Sequence, residues 1–236
     1  MPRKDVAPAS TIYSAHRERQ RLRILTAAEK LFDERGIDRV TMADITSASG
    51  LRASTIYQYF SNKDDIVWAI LSELLVEGIA HAKESMEGAT TGLSKIAGLL
   101  EFFAGELSKN PAKVRFMAQF DAMYARHWPA ERFLKLQAQL NPQGFRNFRK
   151  LIREGISDGS LRRDLDPDLT MHAVVNAAIG AQRRLASLGN KVELEYGPPI
   201  DRLFRETIRI ILLGLRATES SERPKARKST TRKRSS

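Results

Sequence analysis

Residues 41–60 read TMADITSASGLRASTIYQYF, and this stretch decides the fold. Thr41 is a residue type that caps helix N-termini, and Asp44 three residues later completes a short version of a capping box. Gly50 suits the left-handed residue that ends a helix, so the first helix is short. A second short helix follows over about 52–60. Two helices of this length cannot form a core alone, so we expect helices on both sides to support them.

The flanking sequence has the spacing of amphipathic helices. A 3–4 spaced apolar stripe that includes Ile24, Ala28 and Leu31 predicts a supporting helix from about Arg17 to Arg35. Ser61 and Asn62 can cap a longer helix that runs to about Glu87. Alternation typical of strands is scarce. Cap residues and prolines mark further helices near 93–109, 111–126, 130–140, 142–157, 167–188 and 200–217.

These elements predict an all-α protein with two folded parts. A three-helix helix-turn-helix domain spans 15–62, and a long helix joins it to a larger helical domain over 63–218. We expect a disordered basic arm at 1–14 and a disordered basic tail at 219–236, because both lack the apolar residues that offset ordering entropy. The tail carries seven Lys or Arg against two Glu, so it could add sequence-independent affinity for phosphate.

The composition bounds the class of protein. The apolar fraction of 42% is ordinary for a folded protein. The net charge of +11 fits either simple solubility or an attraction to phosphate. The absence of cysteine excludes disulfides and thiolate metal sites. Neither a secretory signal nor a membrane span is apparent, so we expect a cytoplasmic protein with no membrane partner.

The second short helix has the form of a DNA-reading helix. In a helix-turn-helix, the N-terminal residues of the second helix meet base edges in a major groove about 12 Å wide. Small side chains at its start allow this close approach. The side chains that this helix offers are Arg52, Ala53, Ser54, Thr55, Tyr57, Gln58 and Tyr59.

Three quoted segments carry a family resemblance. Thr41-Met-Ala-Asp-Ile, the run from Gly50 to Phe60 and the following Ser-Asn-Lys63 together resemble the signature of TetR-family regulators. The match covers about 17–75, and beyond it only the helical layout and residues 159–167 are similar. The chain departs from the family at Arg52, where many members have Ser or Thr, so the reading helix lacks the usual side-chain cap here.

The resemblance implies roles in DNA binding. The positions that correspond to phosphate contacts in the family are Thr41, Tyr57, Tyr59 and Lys63. The positions that correspond to base contacts are Arg52, Ala53, Ser54, Thr55 and Gln58. By donor and acceptor geometry Gln58 can pair with adenine, Arg52 with guanine, and Ala53 can touch a thymine methyl. As alternatives, Thr41 is a plain cap and the two tyrosines pack between helices.

The resemblance also implies a small-molecule pocket in the larger domain. Aromatic and polar side chains on two neighbouring helices make up the expected lining, which favours a hydrophobic or aromatic ligand. The expected lining residues are Phe103, Met117, Phe120, Asp121, Tyr124, His127 and Trp128. The alternative is that they are simply core residues.

The last predicted helix is apolar around much of its girth and therefore needs cover on two sides, and the helix before it has one apolar face with small residues beside it. The resemblance implies that they pair with their copies in a homodimer, which would present two reading heads to a palindromic operator. The expected interface residues are Met171, Val174, Val175, Ala178, Leu203, Ile208, Ile211 and Leu215. The alternative is burial within one subunit.

The resemblance thus implies a transcriptional repressor that a small ligand releases from DNA. A ligand-independent or nucleoid-type DNA-binding protein is the alternative. An all-α enzyme is disfavoured because no acid, base or metal cluster and no cofactor motif is apparent. We expect no metal and no cofactor: Asp164, Asp166 and Asp168 alternate like calcium ligands, but Pro167 makes Asp166 a helix cap.

Overall fold

The chain is all-α, as predicted. The computed structural model describes residues 9–140, 142 and 144–217, and within these ranges it contains no β-strand. A single turn of 3-10 helix, Ile37–Arg39, joins the first two α-helices. The α-helices are α1 (Ala9–Arg35), α2 (Met42–Ser49), α3 (Ala53–Tyr57), α4 (Lys63–Glu84), α5 (Gly92–Lys109), α6 (Pro111–His127), α7 (Ala130–Leu140), α8 (Gly144–Ser157), α9 (Pro167–Leu188), α10 (Lys191–Tyr196) and α11 (Ile200–Leu215).

The first helix is longer than the sequence pattern predicts. Helix α1 begins at Ala9, so the expected disordered arm over 1–14 is wrong for 9–14, while residues 1–8 lie outside the described ranges. Extending an existing helix adds one hydrogen bond for each residue ordered, and no Gly or Pro interrupts this segment. The predicted disordered tail, 219–236, also lies outside the described residues.

The predicted caps around α2 are confirmed. The backbone N–H of Thr41 donates to Asp44 Oδ2 at 2.8 Å, and the Asp44 N–H donates back to Thr41 Oγ1 at 3.2 Å. Gly50 ends the helix at φ +61°, a left-handed conformation that other residues adopt at a cost. At the start of α4, Asn62 Oδ1 accepts the N–H of Asp65 at 2.9 Å. The turn between α2 and α3 is therefore set by local chemistry.

Two apolar cores share the long helices. The first core joins α1, α2, α3, the first half of α4 and the inner face of α6, and it includes the fully buried Phe32, Ile56 and Phe120. The second core joins α5, α8, α9 and α11 around residues such as Leu100 and Phe204. The boundary that we expected between residues 62 and 63 matches a helix start, but the first core continues past it into α4 and α6.

Helix α10 is an element that the sequence pattern did not predict. It buries Val192 and lies between Gly189 and Gly197, both of which have positive φ.

No helix in the described part of the chain is long and apolar enough to cross a membrane.

Candidate functional site

Helix α3 presents one side to solvent and anchors itself by the other. Ile56 is fully buried in the first core, whereas Ala53, Ser54, Tyr57 and Gln58 are exposed. The regular helix ends at Tyr57, earlier than predicted, and a final turn follows. The side chains of a helix that is held only along its buried face are free to approach a groove.

Arg52 stands at the N-cap of α3 and does not cap it with its side chain, as the sequence departure predicts. Its backbone carbonyl accepts from Thr55 N–H at 2.9 Å and from Ile56 N–H at 3.2 Å, so the helix start is held by the main chain. The guanidinium is exposed at the start of the reading helix. This position leaves Arg52 available for a base or phosphate contact.

Thr41 is engaged in its own cap. Its hydroxyl donates to Asp44 Oδ2 at 2.5 Å, and Arg35 Nη1 donates to the other carboxylate oxygen at 3.2 Å. Because the Thr41 hydroxyl and backbone N–H both donate to it, the pKa of Asp44 lies below its ordinary value. The cap role of Thr41 is therefore present in the fold, and phosphate contact stays a prediction.

The two tyrosines have different surroundings. Tyr57 is 55% exposed beside the reading face. Tyr59 is half-buried: its hydroxyl donates to Gln20 Oε1 at 3.1 Å, and the Arg17 guanidinium lies 5.7 Å from its ring centroid. Tyr59 thus packs on α1, whereas Tyr57 is free to reach a phosphate.

Lys63 is used inside the fold. Its Nζ donates to the backbone carbonyl of Ile37 at 2.8 Å and contacts that of Asp38 at 3.4 Å. The ammonium therefore ties the start of α4 to the 3-10 turn. This arrangement differs from the phosphate role that the family resemblance implies for Lys63.

Two arginines on α1 border the reading helix, and the sequence analysis did not assign them. A Cβ on Gly50 would lie 2.8 Å from Arg23 Nη2, and Arg17 covers Tyr59. Arg21, by contrast, points to Glu73 on α4. The spacing of 17, 20 and 23 on one helical face is the signal that could have found this row.

A cavity of about 600 Å³ lies among α4 to α9, and it joins a smaller one of about 310 Å³. Apolar side chains dominate the larger cavity. Its wall includes Leu74, Leu75, Gly78, Ile79, His81, Leu99, Phe102, Phe103, Val114, Met117, Leu134, Phe148, Val175, Ile179, Gln182 and Arg183. Both cavities are lined by Leu75, Met117, Gln137, Phe148, Val175, Ile179 and Arg183.

Four of the expected lining residues reach these cavities. Phe103 and Met117 line the larger one. Phe120 and Asp121 border the smaller one, which Met117 also borders. The residues that sequence reasoning missed come from α4, α7, α8 and α9, which no local pattern connects to α6.

The other three expected lining residues do not reach either cavity, so this part of the prediction is wrong. The Trp128 indole N–H donates to Asp64 at 3.2 Å, and its ring stacks on Phe120. Tyr124 packs between aromatic rings of α6 and α7, and His127 is exposed at the end of α6. The end of α6 faces α4 and α7 here, which places these side chains on the first core.

Several polar side chains in the walls of the cavities have partners within the fold. Gln182 Nε2 donates to the Phe103 carbonyl at 2.7 Å, and Lys113 Nζ contacts both Glu77 carboxylate oxygens. Arg183 on α9 forms an ion pair with Asp121 on α6. Burial lowers the pKa of Arg183 to about 10, which leaves it charged at neutral pH.

Helix α6 connects the cavity to the reading domain. Arg115 binds Asp33 of α1 through two hydrogen bonds, Nε–Oδ1 at 2.6 Å and Nη2–Oδ2 at 2.9 Å. Gln119 accepts the Ile37 N–H at 2.8 Å and donates to the Phe32 carbonyl at 3.3 Å. Because Val114 and Met117 of the same helix line the cavity, a shift of α6 would be felt at both sites.

Most of the expected interface residues of α9 and α11 are buried within the subunit. The buried ones are Met171, Val174, Ala178, Ile208 and Leu215, each at most 5% exposed, and Val175, Leu203 and Ile211 are half-buried. The five buried side chains belong to the second core, which is the alternative of burial within one subunit, and an interface at the three half-buried ones stays a prediction. The faces left open carry Leu169, Ala173, Ala177, Gly180, Ile210 and Leu213.

The three alternating aspartates around the start of α9 form ion pairs or cap the helix. Asp164 pairs with Arg162, Asp168 pairs with Arg149, and Asp166 caps α9 as predicted. No cluster of three or more potential metal ligands occurs within the described ranges.

Comparisons with known proteins agree with this architecture. The model of the bacterial regulatory proteins of the tetR family matches residues 24–70. The chain is 26% identical to the HTH-type transcriptional repressor KstR2 of Rhodococcus jostii over 83% of its own length and 91% of the relative.

Two solved structures share the fold. The ketosteroid transcriptional regulator KstR2 of Mycobacterium tuberculosis aligns with a TM-score of 0.63 at 21% identity, over 84% of this chain and 95% of that one. FadR from Bacillus subtilis, solved in complex with stearoyl-CoA, aligns with a TM-score of 0.60 at 19% identity, over 82% and 98%. The reading helix, the matched segment and the relatives lead to one conclusion: residues 24–70 form a DNA-binding domain like that of the tetR family, and the chain resembles the DNA-binding transcriptional regulators of that family over most of its length.

Proposed function

We propose that the protein is a repressor that holds a palindromic operator as a homodimer and is released by a small hydrophobic ligand. The observation that carries this proposal is the position of α6. One face of this helix lines the cavity, while Arg115 and Gln119 bind the C-terminal end of α1 and the turn after it. A ligand that favours another position of α6 therefore has a physical route to the reading helices.

On the DNA side, the exposed face of α3 leaves Arg52, Ala53, Ser54 and Gln58 available for base reading, and Thr55 beside them is half-buried. Tyr57 and the two α1 arginines at 17 and 23 flank that face and suit phosphate contact, which sets register without reading sequence. Thr41 borders it from the start of α2. A regulator of this kind acts where the chromosome is, in the cytoplasm.

Two subunits are needed for a palindromic site, and the open faces of α9 and α11 suit a second copy of the chain. On α9 the exposed positions Ala173, Ala177 and Gly180 are small and allow close helix approach. On α11, Ile210 and Leu213 are 59% and 52% exposed. An isologous pairing of these faces would present two helix-turn-helix domains related by a two-fold axis.

The cavity supports a hydrophobic ligand of moderate size. Its volume of about 600 Å³ lies within the 300–1,000 Å³ that ligand sites commonly occupy. Two proteins of similar fold support such a ligand, since one is described as a ketosteroid transcriptional regulator and the other was solved in complex with stearoyl-CoA. We infer the same broad class, a largely apolar small molecule, for this chain.

Selection of genomic fragments by the purified protein tests the DNA half of the proposal. We expect enriched fragments to share a two-fold symmetric motif. Gln58→Ala should relax preference at one base of each half-site by about 1–3 kcal/mol. Gln139→Ala, an exposed glutamine on α7, serves as the control and should leave the motif unchanged. An unaltered motif in Gln58→Ala would remove Gln58 from base reading.

A gel-shift screen of apolar metabolites against the best fragment tests release. We expect at least one compound to lower the affinity for DNA. If no compound changes the affinity, the protein is a ligand-independent DNA-binding protein instead.

A further inference from the structure

Arg183 lies where the two cavities meet. It borders both of them, and its side chain is only 19% exposed. Among the described residues its ionic partner is Asp121, which lies across the gap on α6. A guanidinium has five N–H donors, so a single carboxylate does not use all of them.

The two members of this pair differ in their access to water. The Asp121 side chain is 49% exposed, whereas Arg183 is held inside the wall. Asp121 can therefore be solvated when it loses its partner, but a buried guanidinium without an anion is costly. Burial already lowers the pKa of Arg183 to about 10, which reflects the same poor solvation.

The other paired cations at the cavities are held differently. Lys113 is shared between both oxygens of Glu77, at 2.8 and 2.6 Å. Arg149 pairs with Asp168 and borders only the smaller cavity. The Glu77 side chain is 45% exposed, much like Asp121, but Lys113 is itself 36% exposed and can be hydrated without its partner. Arg183, at 19% exposure, is therefore the less solvated of the two paired cations that border the large cavity.

We propose that the ligand is an amphipathic anion whose apolar body fills the 600 Å³ cavity and whose anionic group takes Arg183 from Asp121. A carboxylate or sulfonate has the planar or forked acceptor geometry that a guanidinium binds through paired hydrogen bonds. The ion pair joins α9 to α6, so the exchange frees α6 at the point where it meets the second core. This inference rests on the proposed function, since it names the ligand class and the switch of the same site.

Two fluorescent dyes with the same aromatic body separate charge from hydrophobicity. 1-Anilinonaphthalene-8-sulfonate is anionic, and N-phenyl-1-naphthylamine lacks the sulfonate. Both are titrated into the full-length protein and its variants. We expect Arg183→Gln to weaken binding of the anionic dye about tenfold and to leave the neutral dye unchanged. Arg184→Gln, the exposed neighbour on α9, is the matched control and should change neither.

Asp121→Asn provides a second and opposite test. It removes the competing carboxylate and keeps Arg183, so the anionic dye should bind several-fold more tightly, as expected for loss of an ion pair of about 1 kcal/mol. An unchanged or weaker affinity of this variant for the anionic dye would overturn the exchange between Asp121 and the ligand.

Two glycine substitutions test whether the dyes bind in the large cavity. Gly78 borders the large cavity and Gly105 does not, and a Cβ at either position meets no atom within 4 Å. Gly78→Leu should abolish binding of both dyes, whereas Gly105→Leu should not.

The outcomes distinguish the two proposals. Equal effects of Arg183→Gln on both dyes would refute an anionic ligand and leave a hydrophobic one standing. If neither dye binds the unaltered protein, the proposed amphipathic anion is refuted, whereas the repressor function is tested separately by fragment selection and by the gel-shift screen.

Discussion

At the scale of single residues, Lys63 shows how a side chain can already be occupied by the fold. Its ammonium donates to two carbonyls of the 3-10 turn, so its removal leaves the Ile37 carbonyl without that donor. We expect Lys63→Met to lower the free energy of unfolding by about 1–2 kcal/mol, measured by urea denaturation. Lys30→Met, at an exposed position of α1, should leave stability unchanged. A fall in DNA affinity with unaltered stability would instead support the phosphate role.

Asp44 gives a pH-dependent prediction. Its folded-state pKa lies below the ordinary value because Thr41 donates to the carboxylate. A depressed pKa contributes stability above the unfolded pKa of about 4, and that contribution is lost as the pH falls through the folded value. Asp44→Asn should therefore melt at a lower temperature than the unaltered protein at pH 7.

The difference between the two melting temperatures should shrink below about pH 4, where the native carboxylate also takes up a proton. Asp38→Asn, at an exposed position in the 3-10 turn, is the control. A difference in melting temperature that stays constant from pH 7 to about pH 3 would contradict a role for the Asp44 charge.

At the scale of elements, helix bounds were predictable wherever a cap or proline marks them. The caps at Thr41, Asn62 and Asp166 give three helix starts correctly. Helix α10 was missed because it buries one side chain, Val192, and so has no apolar period. The start of α1 was missed because its first turns show no stripe. Capping residues and prolines therefore predict helix ends well. They do not predict a helix that is stabilised by tertiary contacts or that extends an existing helix.

Which face of a helix meets which neighbour was less predictable. The apolar stripe of α9 was taken for an interface, yet Met171, Val174 and Ala178 fill the subunit's own core. A helix between a core and a partner has two apolar faces, and periodicity alone does not rank them. The same ambiguity placed Tyr124 and Trp128 in the cavity rather than on the first core.

Helix α6 provides a test of coupling at this scale. Gln119→Leu removes the acceptor for Ile37 N–H and the donor to the Phe32 carbonyl, while Met117 and the cavity remain. We expect both dyes to bind as before, and the effect of a releasing compound on operator affinity to fall by about tenfold, which corresponds to about 1.4 kcal/mol of coupling. Dye titrations and gel shifts on one preparation measure the two quantities.

Arg126→Gln is the control on the same helix, since Arg126 is exposed and bonds only to the α6 backbone among described contacts. If Gln119→Leu responds to the releasing compound like the unaltered protein, α6 does not transmit the signal through this contact.

At the scale of the whole molecule, the site could be predicted only in part. The two short helices that carry the proposed reading surface lie within about twenty residues, so the sequence alone predicts them. The cavity is assembled from six helices, and Arg183 and Asp121 lie 62 positions apart with no pattern between them. The cavity depends on how α4 and α6 pack against both cores. Hydrophobic periodicity in one sequence reports local secondary structure and does not predict such packing.

The proposed dimer is tested at the scale of the whole molecule. Ile210 is 59% exposed on α11 and lies at i−3 from Leu213 on the same open face. A charge at this position would have to be buried in a two-fold interface beside its own copy, which opposes association. We expect Ile210→Glu to be a folded monomer by analytical ultracentrifugation and circular dichroism. Its operator affinity should fall by at least about tenfold, because a monomer contacts only one half-site.

Val76→Glu is the matched control, since Val76 is 52% exposed but lies on α4. This variant should remain a dimer with unaltered operator affinity. The two substitutions add the same charge at similar exposure, so a difference between them reports the location of the interface rather than a general effect of charge. A dimeric Ile210→Glu would place the interface elsewhere, and the open faces of α9 and α11 would then need another explanation.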